Sequence, residues 1–289
     1  MADYLVGTNY RTKIQLTFPD IREGAYRDTI TCPELLDIIN RIAIIFDNSF
    51  DTTCIKSIKF QCAYTKDVFG IMIYSTIPEK YESIGLVIPE VSIIGCNDAY
   101  LSTTRYFTCY TMNTVWRYSI NTFVQSYLEL AQFAHNTVAD IIDKLSGIYD
   151  YTGIGGESCL YAIANKHKFN NIHVYTDNSA IHDTNTYNIA ESAIDNCVST
   201  LVDYRDFKLQ YQANTFMVIN IAKKGLRSFV KQVMTARPAQ IVYIGCARIY
   251  TEHDCQILRE IYDIITDICV PMYPDNPECI LSVIQLQLK

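Results

Sequence analysis

Several features that mark other protein classes are missing from this 289-residue sequence. No apolar run approaches the roughly 20 residues of a bilayer-spanning helix, and residues 1–20 lack the basic and apolar regions of a signal peptide. Repeats and low-complexity linkers are absent too. We therefore expect a cytoplasmic protein, intracellular and not secreted, with no membrane partner. Hydrophobic residues make up 49% and charged residues 19%, which is typical of a globular chain.

Patterns that bind metals or form disulfides are also absent. The 11 cysteines include no C-x-x-C pair, which argues against zinc ribbons, dithiol redox motifs and iron–sulfur sites. Their odd number argues against a closed disulfide framework, so we expect most of them to be reduced and buried. The histidines lack metal-ligand spacing, and no Ser-His-Asp order stands out. We therefore predict no metal site.

Positive charge is scarce, and the net charge of −7 is unfavourable for non-specific binding of nucleic acid. An RNA partner would need a local basic patch. The densest patch follows a predicted strand that ends at Asn220, and it suits phosphates. The alternative is a solvated helix face. Its residues are Lys223, Lys224, Arg227, Lys231 and Arg237.

What is present is organised around a glycine-rich stretch, GIYDYTGIGG, at residues 147–156. A strand, a glycine turn and a helix in this order open a nucleotide-binding βαβ unit, because glycines let the backbone approach a ligand. About twenty residues later, strand 172–177 ends in Asp177, which is placed to accept hydrogen bonds from ribose hydroxyls. The pattern predicts a nucleotide or nucleoside site. The alternative is that the glycines only permit tight packing.

The hydrophobic periodicity predicts two regions of different character. The first is a strand-rich α+β region with a helix at 33–48 and a hairpin of strands 55–64 and 68–76. In the second, a long helix at 119–145 leads into alternating strands and helices, as in a Rossmann-like α/β domain. We therefore predict two domains, 1–115 and 116–289. The other predicted strands are 13–18, 87–94, 106–110, 148–152, 172–177, 198–201, 215–220, 240–245 and 279–288, and the other helices are 157–166, 180–194, 227–235 and 252–266.

Two side chains could take part in catalysis, one as a nucleophile and one as a general base. Cys246 follows the predicted strand 240–245, and a helix N-terminus after it could lower the pKa of its thiol, as a nucleophile requires. The alternative is a buried cysteine like the others. Glu278 follows three prolines and precedes the last predicted strand, so it is either a general base or a solvated loop residue.

The order of elements and motifs resembles the RNA uracil-5-methyltransferases, in particular their tRNA branch, which make 5-methyluridine with S-adenosylmethionine. In that family a Phe-x-Gln segment contacts the cofactor, and Phe123-Val124-Gln125 matches it. The first family motif, acid-Leu-Tyr-Cys-Gly-x-Gly-Asn, matches Asp150 to Gly156 imperfectly. The resemblance implies a class I methyltransferase domain preceded by the strand-rich region. The cofactor residues that it implies are Gln125, Tyr151, Gly153, Gly155, Asp177 and Asn220.

Two other family motifs are altered in this sequence. Asp-Pro-Pro-Arg-x-Gly-Leu appears as residues 220–226, with Asn220 for the aspartate, Lys223 for the arginine and neither proline. Tyr-x-Ser-Cys-Asn-Pro appears as residues 243–248, where the cysteine is retained as Cys246 but its flank is not. The loss of two prolines frees the first of these turns, and a lysine cannot reproduce a bidentate arginine contact.

The resemblance implies a reaction on RNA. Cys246 adds to carbon 6 of uracil, carbon 5 takes the methyl group, and Glu278 removes the carbon 5 proton from a base flipped out of its stack. Lys223, Lys224 and Arg227 would contact the RNA. The altered motifs also allow a second hypothesis, an inactive member that serves as an RNA-binding or assembly scaffold with protein partners. A methyltransferase of small molecules is a third, disfavoured because the N-terminal region also matches the RNA enzymes.

Overall fold

The computed structural model describes residues 11–28, 30–50, 52–81, 91–204, 207–211, 213–221, 225–273 and 276–289. The chain forms two compact units. The first gathers the residues up to Cys109 with Arg117–Asn121 and Gln125–Ala131, and the second comprises Tyr110–Trp116, Thr122–Val124 and Gln132–Lys289. Between residues 109 and 132 the chain passes several times between the two units, and the domain boundary at residues 115/116 stays a prediction. Within the described ranges, no helix is long and apolar enough to cross a membrane.

The first unit is built on a five-stranded sheet with strand order β1-β2-β3-β4-β5. The predicted hairpin is confirmed, since β2 and β3 pair antiparallel. The predicted helix at 33–48 is confirmed as α2, whose buried face (Leu35, Ile38, Ile39, Ile42, Phe46) has helical spacing. The elements are β1 (Lys13–Leu16), α1 (Phe18–Glu23), α2 (Pro33–Ser49), β2 (Ile55–Cys62), β3 (Phe69–Ser75), β4 (Val91–Cys96) and β5 (Ala99–Tyr100).

Two elements between residues 106 and 145 differ from the prediction. Strands β6 (Tyr106–Thr111) and β7 (Thr114–Ser119) form a two-stranded sheet, and Met112 and Asn113 turn between them with positive φ. The helix predicted at 119–145 begins only at α3 (Leu128–Asp143). Its predicted start was wrong because apolar residues continue from the strand into the helix, and periodicity alone does not separate them.

The second unit is built on a seven-stranded sheet with strand order β10-β9-β8-β11-β12-β14-β13. The first five strands in this order are parallel, and β14 is antiparallel to both β12 and β13. The elements are β8 (Tyr149–Gly155), α4 (Ser158–Ala164), β9 (Phe169–Thr176), α5 (Ser179–Glu191), β10 (Cys197–Leu201), β11 (Thr215–Asn220), α6 (Phe229–Ala236), β12 (Gln240–Gly245), α7 (Arg248–Leu258), β13 (Tyr262–Tyr273) and β14 (Asn276–Leu288).

The parallel part of this sheet confirms the predicted order of strands and helices, but the helix predicted at 252–266 is confirmed only up to Leu258. Helix α7 ends at Leu258, and Tyr262 begins β13, a long edge strand that pairs with β14. Residues 262–270 are rich in β-branched side chains, which favour a strand once a partner strand is available. That partner lies more than ten residues away in sequence, so local periodicity did not reveal it.

Strand order locates the expected binding crevice. From β8 the chain moves outward to β9 and β10, and it then returns to β11 on the other side of β8. The connections that leave the carboxyl ends of the neighbouring strands β8 and β11 therefore run in opposite directions along the sheet. In open α/β sheets ligands bind at such a switch point.

Candidate functional site

The glycine turn at the end of β8 touches the end of β11. Gly155 has φ +84°, and a side chain there would collide with the Asn220 carbonyl oxygen. The Gly156 N–H donates to the same carbonyl at 2.9 Å. Only glycine allows the two strand ends to meet this closely, so the turn predicted from the sequence forms the floor of the crevice.

Asn220 is the buried polar residue at this point. Its side chain is 2% exposed, yet neither Oδ1 nor Nδ2 has a hydrogen-bond partner among the described residues. Buried amides in folded proteins are nearly always hydrogen-bonded, so one without partners indicates a place where a ligand or water supplies them. The amide offers one acceptor and two donors.

Cys246 lies on the same face of the sheet as Asn220. Ile219 and Tyr243 pack into the core cluster on the α6–α7 side. Because side chains alternate along a strand, Asn220, Ile244 and then Cys246 are directed to the opposite face. Asn220 pairs with Ile244, which places Cys246 just beyond it. The cysteine is 5% exposed, so it is buried at the edge of the crevice.

A buried carboxylate holds the segment of Gly225 and Leu226 in place. Asp254 Oδ2 accepts from the Leu226 N–H and from the Tyr243 hydroxyl, both at 2.7 Å. Gly225 has φ +68°, and a Cβ there would lie 2.6 Å from the same oxygen. Asp254 thus joins this segment to α7, the helix that follows Cys246.

The predicted phosphate-binding residues are only partly described. Lys223 and Lys224 lie outside the described residues. Arg227 is exposed on the turn before α6, with φ +52°. Their contacts with RNA stay a prediction.

The carboxyl end of β9 carries the predicted ribose ligand. Asp177 is exposed directly after the strand. Tyr204, which sequence patterns did not single out, lies beside it, and its hydroxyl donates to the Tyr175 carbonyl at 3.2 Å. Burial, followed by the Asp177 carboxylate, raises the pKa of the Tyr204 phenol, while Thr176 and the main chain of Asp177 and Gly155 act in the opposite direction. Tyr204 therefore packs at the carboxyl end of β9, next to Asp177.

Two residues of the first motif have internal roles. Tyr151 is fully buried against Phe169 and Phe216, and its hydroxyl donates to the Ser158 carbonyl at 2.5 Å. A Cβ on Gly153 would lie 2.9 Å from Ser158 Oγ. Through these contacts with Ser158, both residues help the start of α4 to pack against β8. The Tyr151 side chain is enclosed in the core and Gly153 faces the helix, and their contacts with a cofactor stay a prediction.

The Phe-x-Gln segment is divided between the two units. The Phe123 ring lies over the glycine turn, since a Cβ on Gly156 would be 2.6 Å from Phe123 Cδ1. An asparagine at 156 would meet this ring, which accounts for glycine there. Gln125 belongs to the first unit, where its side chain is buried and its carbonyl accepts from the Tyr64 hydroxyl at 3.0 Å. Its contact with a cofactor stays a prediction.

Glu278 lies in β14, which begins earlier than predicted. Ser282 of this strand pairs with Gly245 in the antiparallel direction. The residues that precede Ser282 therefore extend past the carboxyl end of β12, on the edge where Cys246 lies. The Glu278 side chain lies outside the described part of the structure.

A buried polar cluster between α3 and α4 was not identified from the sequence. His135 on α3 has Nδ1 at 3.0 Å from Thr111 Oγ1 and Nε2 at 3.3 Å from Glu157 Oε1. Tyr161 on α4 meets the His135 ring edge-on, with centroids 5.9 Å apart. The one sequence signal was an acid, Glu157, directly after the glycine turn. In the described ranges, no cluster of three or more His, Cys, Asp or Glu residues could hold a metal ion.

Comparisons with known proteins identify the fold. No protein-family profile and no curated protein matches the sequence. The Pyrococcus abyssi tRNA (uracil-54, C5)-methyltransferase in complex with S-adenosyl-L-homocysteine matches with a TM-score of 0.67 at 14% identity, over 96% of this chain and 76% of that one. A tRNA m1G37 methyltransferase from M. jannaschii matches at 0.53 and 11%, over 77% and 73%. P. horikoshii TYW2 in complex with MeSAdo matches at 0.51 and 11%, over 86% and 98%.

These matches confirm the predicted fold class. The second unit has the Rossmann-like fold of class I methyltransferases, and a strand-rich α+β region precedes it. At identities of 11–14%, the likeness establishes the architecture alone.

Proposed function

We propose that this protein is an S-adenosylmethionine-dependent RNA uridine C5-methyltransferase that acts on tRNA-like RNA. The observation that carries the proposal is the buried Asn220 amide, without a hydrogen-bond partner in the described part of the chain, at the switch point of the sheet and on the same face as the Cys246 thiol. An unsatisfied amide that can hold the cofactor, on the same face as a nucleophile, suits methyl transfer to a base that needs covalent attack.

The residues of the crevice fit the cofactor. The glycine turn at Gly155 and Gly156 lets β8 approach the end of β11 at the floor of the crevice, because any side chain there would meet Asn220 or Phe123. The exposed Asp177 carboxylate can accept from ribose hydroxyls. The Asn220 amide supplies polar contacts at the floor. When bound, the cofactor supplies the methyl group. Several of the matched proteins are named as tRNA methyltransferases, which supports RNA as the substrate class.

The chain's own residues account for the remaining chemistry. The Cys246 thiolate forms a bond to carbon 6 of uracil, which makes carbon 5 nucleophilic enough to take the methyl group. Glu278 removes the carbon 5 proton, and the electron pair left behind expels the thiolate. The position of Glu278 in β14, on the edge where Cys246 lies, supports this assignment. Arg227, Lys223 and Lys224 would bind RNA phosphates.

Two measurements test the proposal. Titration calorimetry with S-adenosylmethionine should give a binding heat, and absence of heat at millimolar cofactor would leave only the scaffold hypothesis. With cofactor present, RNA that contains 5-fluorouridine should form a denaturation-stable complex, because fluorine on carbon 5 cannot leave as a proton does. Cys246→Ala should abolish the complex, whereas Cys269→Ala, which changes an exposed cysteine, should retain it. A complex that persists in Cys246→Ala would remove this cysteine from the mechanism.

A further inference from the structure

We propose that Cys32 and Cys62 form a site of reversible oxidation, at which hydrogen peroxide converts two buried thiols into a disulfide. The inference goes beyond the proposed function and does not depend on it, because it uses neither the cofactor nor the crevice. Both cysteines belong to the first unit. Neither the glycine turn nor the family motifs include them.

The two sulfur atoms are close enough to react. Their Sγ atoms are 3.9 Å apart, and both side chains are fully buried. A disulfide places its sulfurs about 2.0 Å apart. Rotation of one cysteine about its Cα–Cβ bond moves the sulfur by more than the difference. Closing the gap therefore needs a change of side-chain torsion and not unfolding.

The fold, and not the local sequence, brings the pair together. Cys32 is the residue before α2, and Cys62, 30 residues later, is the last residue of β2. Both side chains lie in the core cluster that α2 forms with the first sheet, next to Leu35 and Phe60. The Cys62 N–H donates to the Thr12 carbonyl at 2.9 Å, which fixes the main chain at this end of the strand. The thiols are thus held face to face before any oxidant arrives.

The two thiols differ in reactivity. The hydrogen bond with Cys62, and then the main chain of Leu35 in the first turn of α2, lower the pKa of the Cys32 thiol and outweigh burial and the Glu34 carboxylate, which raise it. The hydrogen bond with Cys32, followed by burial, raises the pKa of the Cys62 thiol. Peroxide reacts with the thiolate form of cysteine. Cys32 is therefore the attacking residue, and Cys62 is the residue that resolves the product.

A route for the oxidant begins at Cys32. Its thiol donates to Glu34 Oε2 at 3.3 Å, and Glu34 is exposed. Thr31 and Pro33, on either side of Cys32, are exposed as well. The thiol therefore lies one layer below the surface, at the end of a helix. Helix ends open more readily than helix centres, so a molecule as small as peroxide can reach the sulfur.

The oxidation balances with peroxide as the only co-reactant. The Cys32 sulfur attacks one peroxide oxygen, so an S–O bond forms, the O–O bond breaks, and the departing hydroxide takes the thiol proton as water. Cys32 is then a sulfenic acid. The Cys62 sulfur attacks the Cys32 sulfur, the S–S bond forms, and the S–O bond breaks. The second hydroxide takes the Cys62 proton as water. The two thiols lose two electrons and peroxide gains them.

The test treats the reduced full-length protein with a small excess of peroxide, blocks the remaining thiols by alkylation and maps disulfide-linked peptides by mass spectrometry. We expect a Cys32–Cys62 peptide that accounts for more than about half of Cys62 and is lost on treatment with dithiothreitol. Cys62→Ser should leave Cys32 as a sulfenic acid that dimedone traps. Cys32→Ser should leave Cys62 reduced. Cys54→Ser is the matched control, because this buried thiol of the same unit contacts the Tyr81 hydroxyl at 3.0 Å, and it should retain the linked peptide.

The exposed Cys269 shows in the same sample whether peroxide has reacted with the protein. If Cys269 is oxidised and no Cys32–Cys62 peptide forms, the proposal is wrong. It is also wrong if Cys32 pairs with the same mixture of cysteines in the folded chain as in concentrated urea, because the fold then does not select its partner. The linkage is measured in the wild type, so the decision holds even if a serine variant does not fold. A protein that binds no S-adenosylmethionine but forms the peptide would contradict the proposed function alone.

Discussion

The Asn220 amide illustrates how a single residue can favour binding over stability. A buried amide without partners destabilises a fold by about 1–3 kcal/mol, whereas an apolar side chain of similar size does not. We expect Asn220→Leu to raise the free energy of unfolding by about 1–2 kcal/mol. The same variant should lose the binding heat of S-adenosylmethionine. Urea unfolding and calorimetry on the same sample check both effects.

Asn188 provides the control for this prediction. It is equally buried, but its Nδ2 donates to the Thr184 carbonyl at 2.8 Å. Asn188→Leu should therefore lower the free energy of unfolding by about 1–2 kcal/mol, because a buried side-chain hydrogen bond is lost. If both leucine variants destabilise the protein to the same extent, Asn220 is satisfied in solution, and the argument for a ligand at that position fails.

At the scale of elements, one ion pair joins α7 to the edge strand β13. Arg248 donates to both carboxylate oxygens of Asp267, at 2.6 and 2.8 Å. The guanidinium hydrogen bonds hold the pKa of Asp267 below its usual value. A folded-state pKa that is depressed contributes stability above the unfolded pKa, and this contribution is lost as the pH falls through the folded value. We expect Asp267→Asn to lower the free energy of unfolding by about 1 kcal/mol at pH 7.

A second pair shows what exposure does to such a contact. Arg22 and Asp47 are 2.9 Å apart, but their side chains are 59% and 41% exposed, against 24% and 29% for Arg248 and Asp267. Water screens the more exposed pair, so Asp47→Asn should change the free energy of unfolding by less than about 0.5 kcal/mol. The denaturant guanidinium chloride is a salt and would itself screen these charges, so urea should be used. If Asp267→Asn and Asp47→Asn changed the free energy of unfolding equally, the expectation that the less exposed pair contributes more would be wrong.

The sequence predicts the order of strands and helices in the α/β unit because each parallel strand and each helix has its own hydrophobic periodicity. The sequence around Gly155 predicts a strand, a turn and a helix, and the structure contains them. The sequence did not predict the hairpin of β13 and β14, since β13 is an edge strand that is stabilised by pairing with β14. Residues 262–266 fit a helix until the partner strand is known.

At the scale of the whole molecule, buried thiols and phenols make the free energy of unfolding fall at alkaline pH. Burial raises the pKa of the Cys255 thiol to about 12, from an ordinary value of 9.0. Burial likewise raises the pKa of Tyr151 and Tyr243. These groups are protonated in the folded state, so their contribution is complete below the unfolded pKa and is lost as the pH rises through the folded value.

We therefore expect the urea midpoint to be constant from pH 7 to about 8.5 and to fall above it. Each such group contributes a slope of about 1.4 kcal/mol per pH unit. Cys255→Ala should reduce the slope above pH 9 by one group, although it lowers stability at pH 7 through lost packing. A midpoint that does not change between pH 8 and pH 10.5 would show that these groups reach water in the folded state.

By itself, the sequence determined the class of fold and the position of the glycine turn, because both depend on residues that are close in the chain. It also singled out Cys246 and Asn220, since each ends a recognisable strand. Only the tertiary structure decided which polar groups lose water. His135 and Glu157 are 22 residues apart, and nothing local to either predicts that they meet or that one carboxylate oxygen finds no partner among the residues that the structure describes. Hydrogen bonding and burial are set by neighbours in space, and those neighbours exist only after the chain has folded.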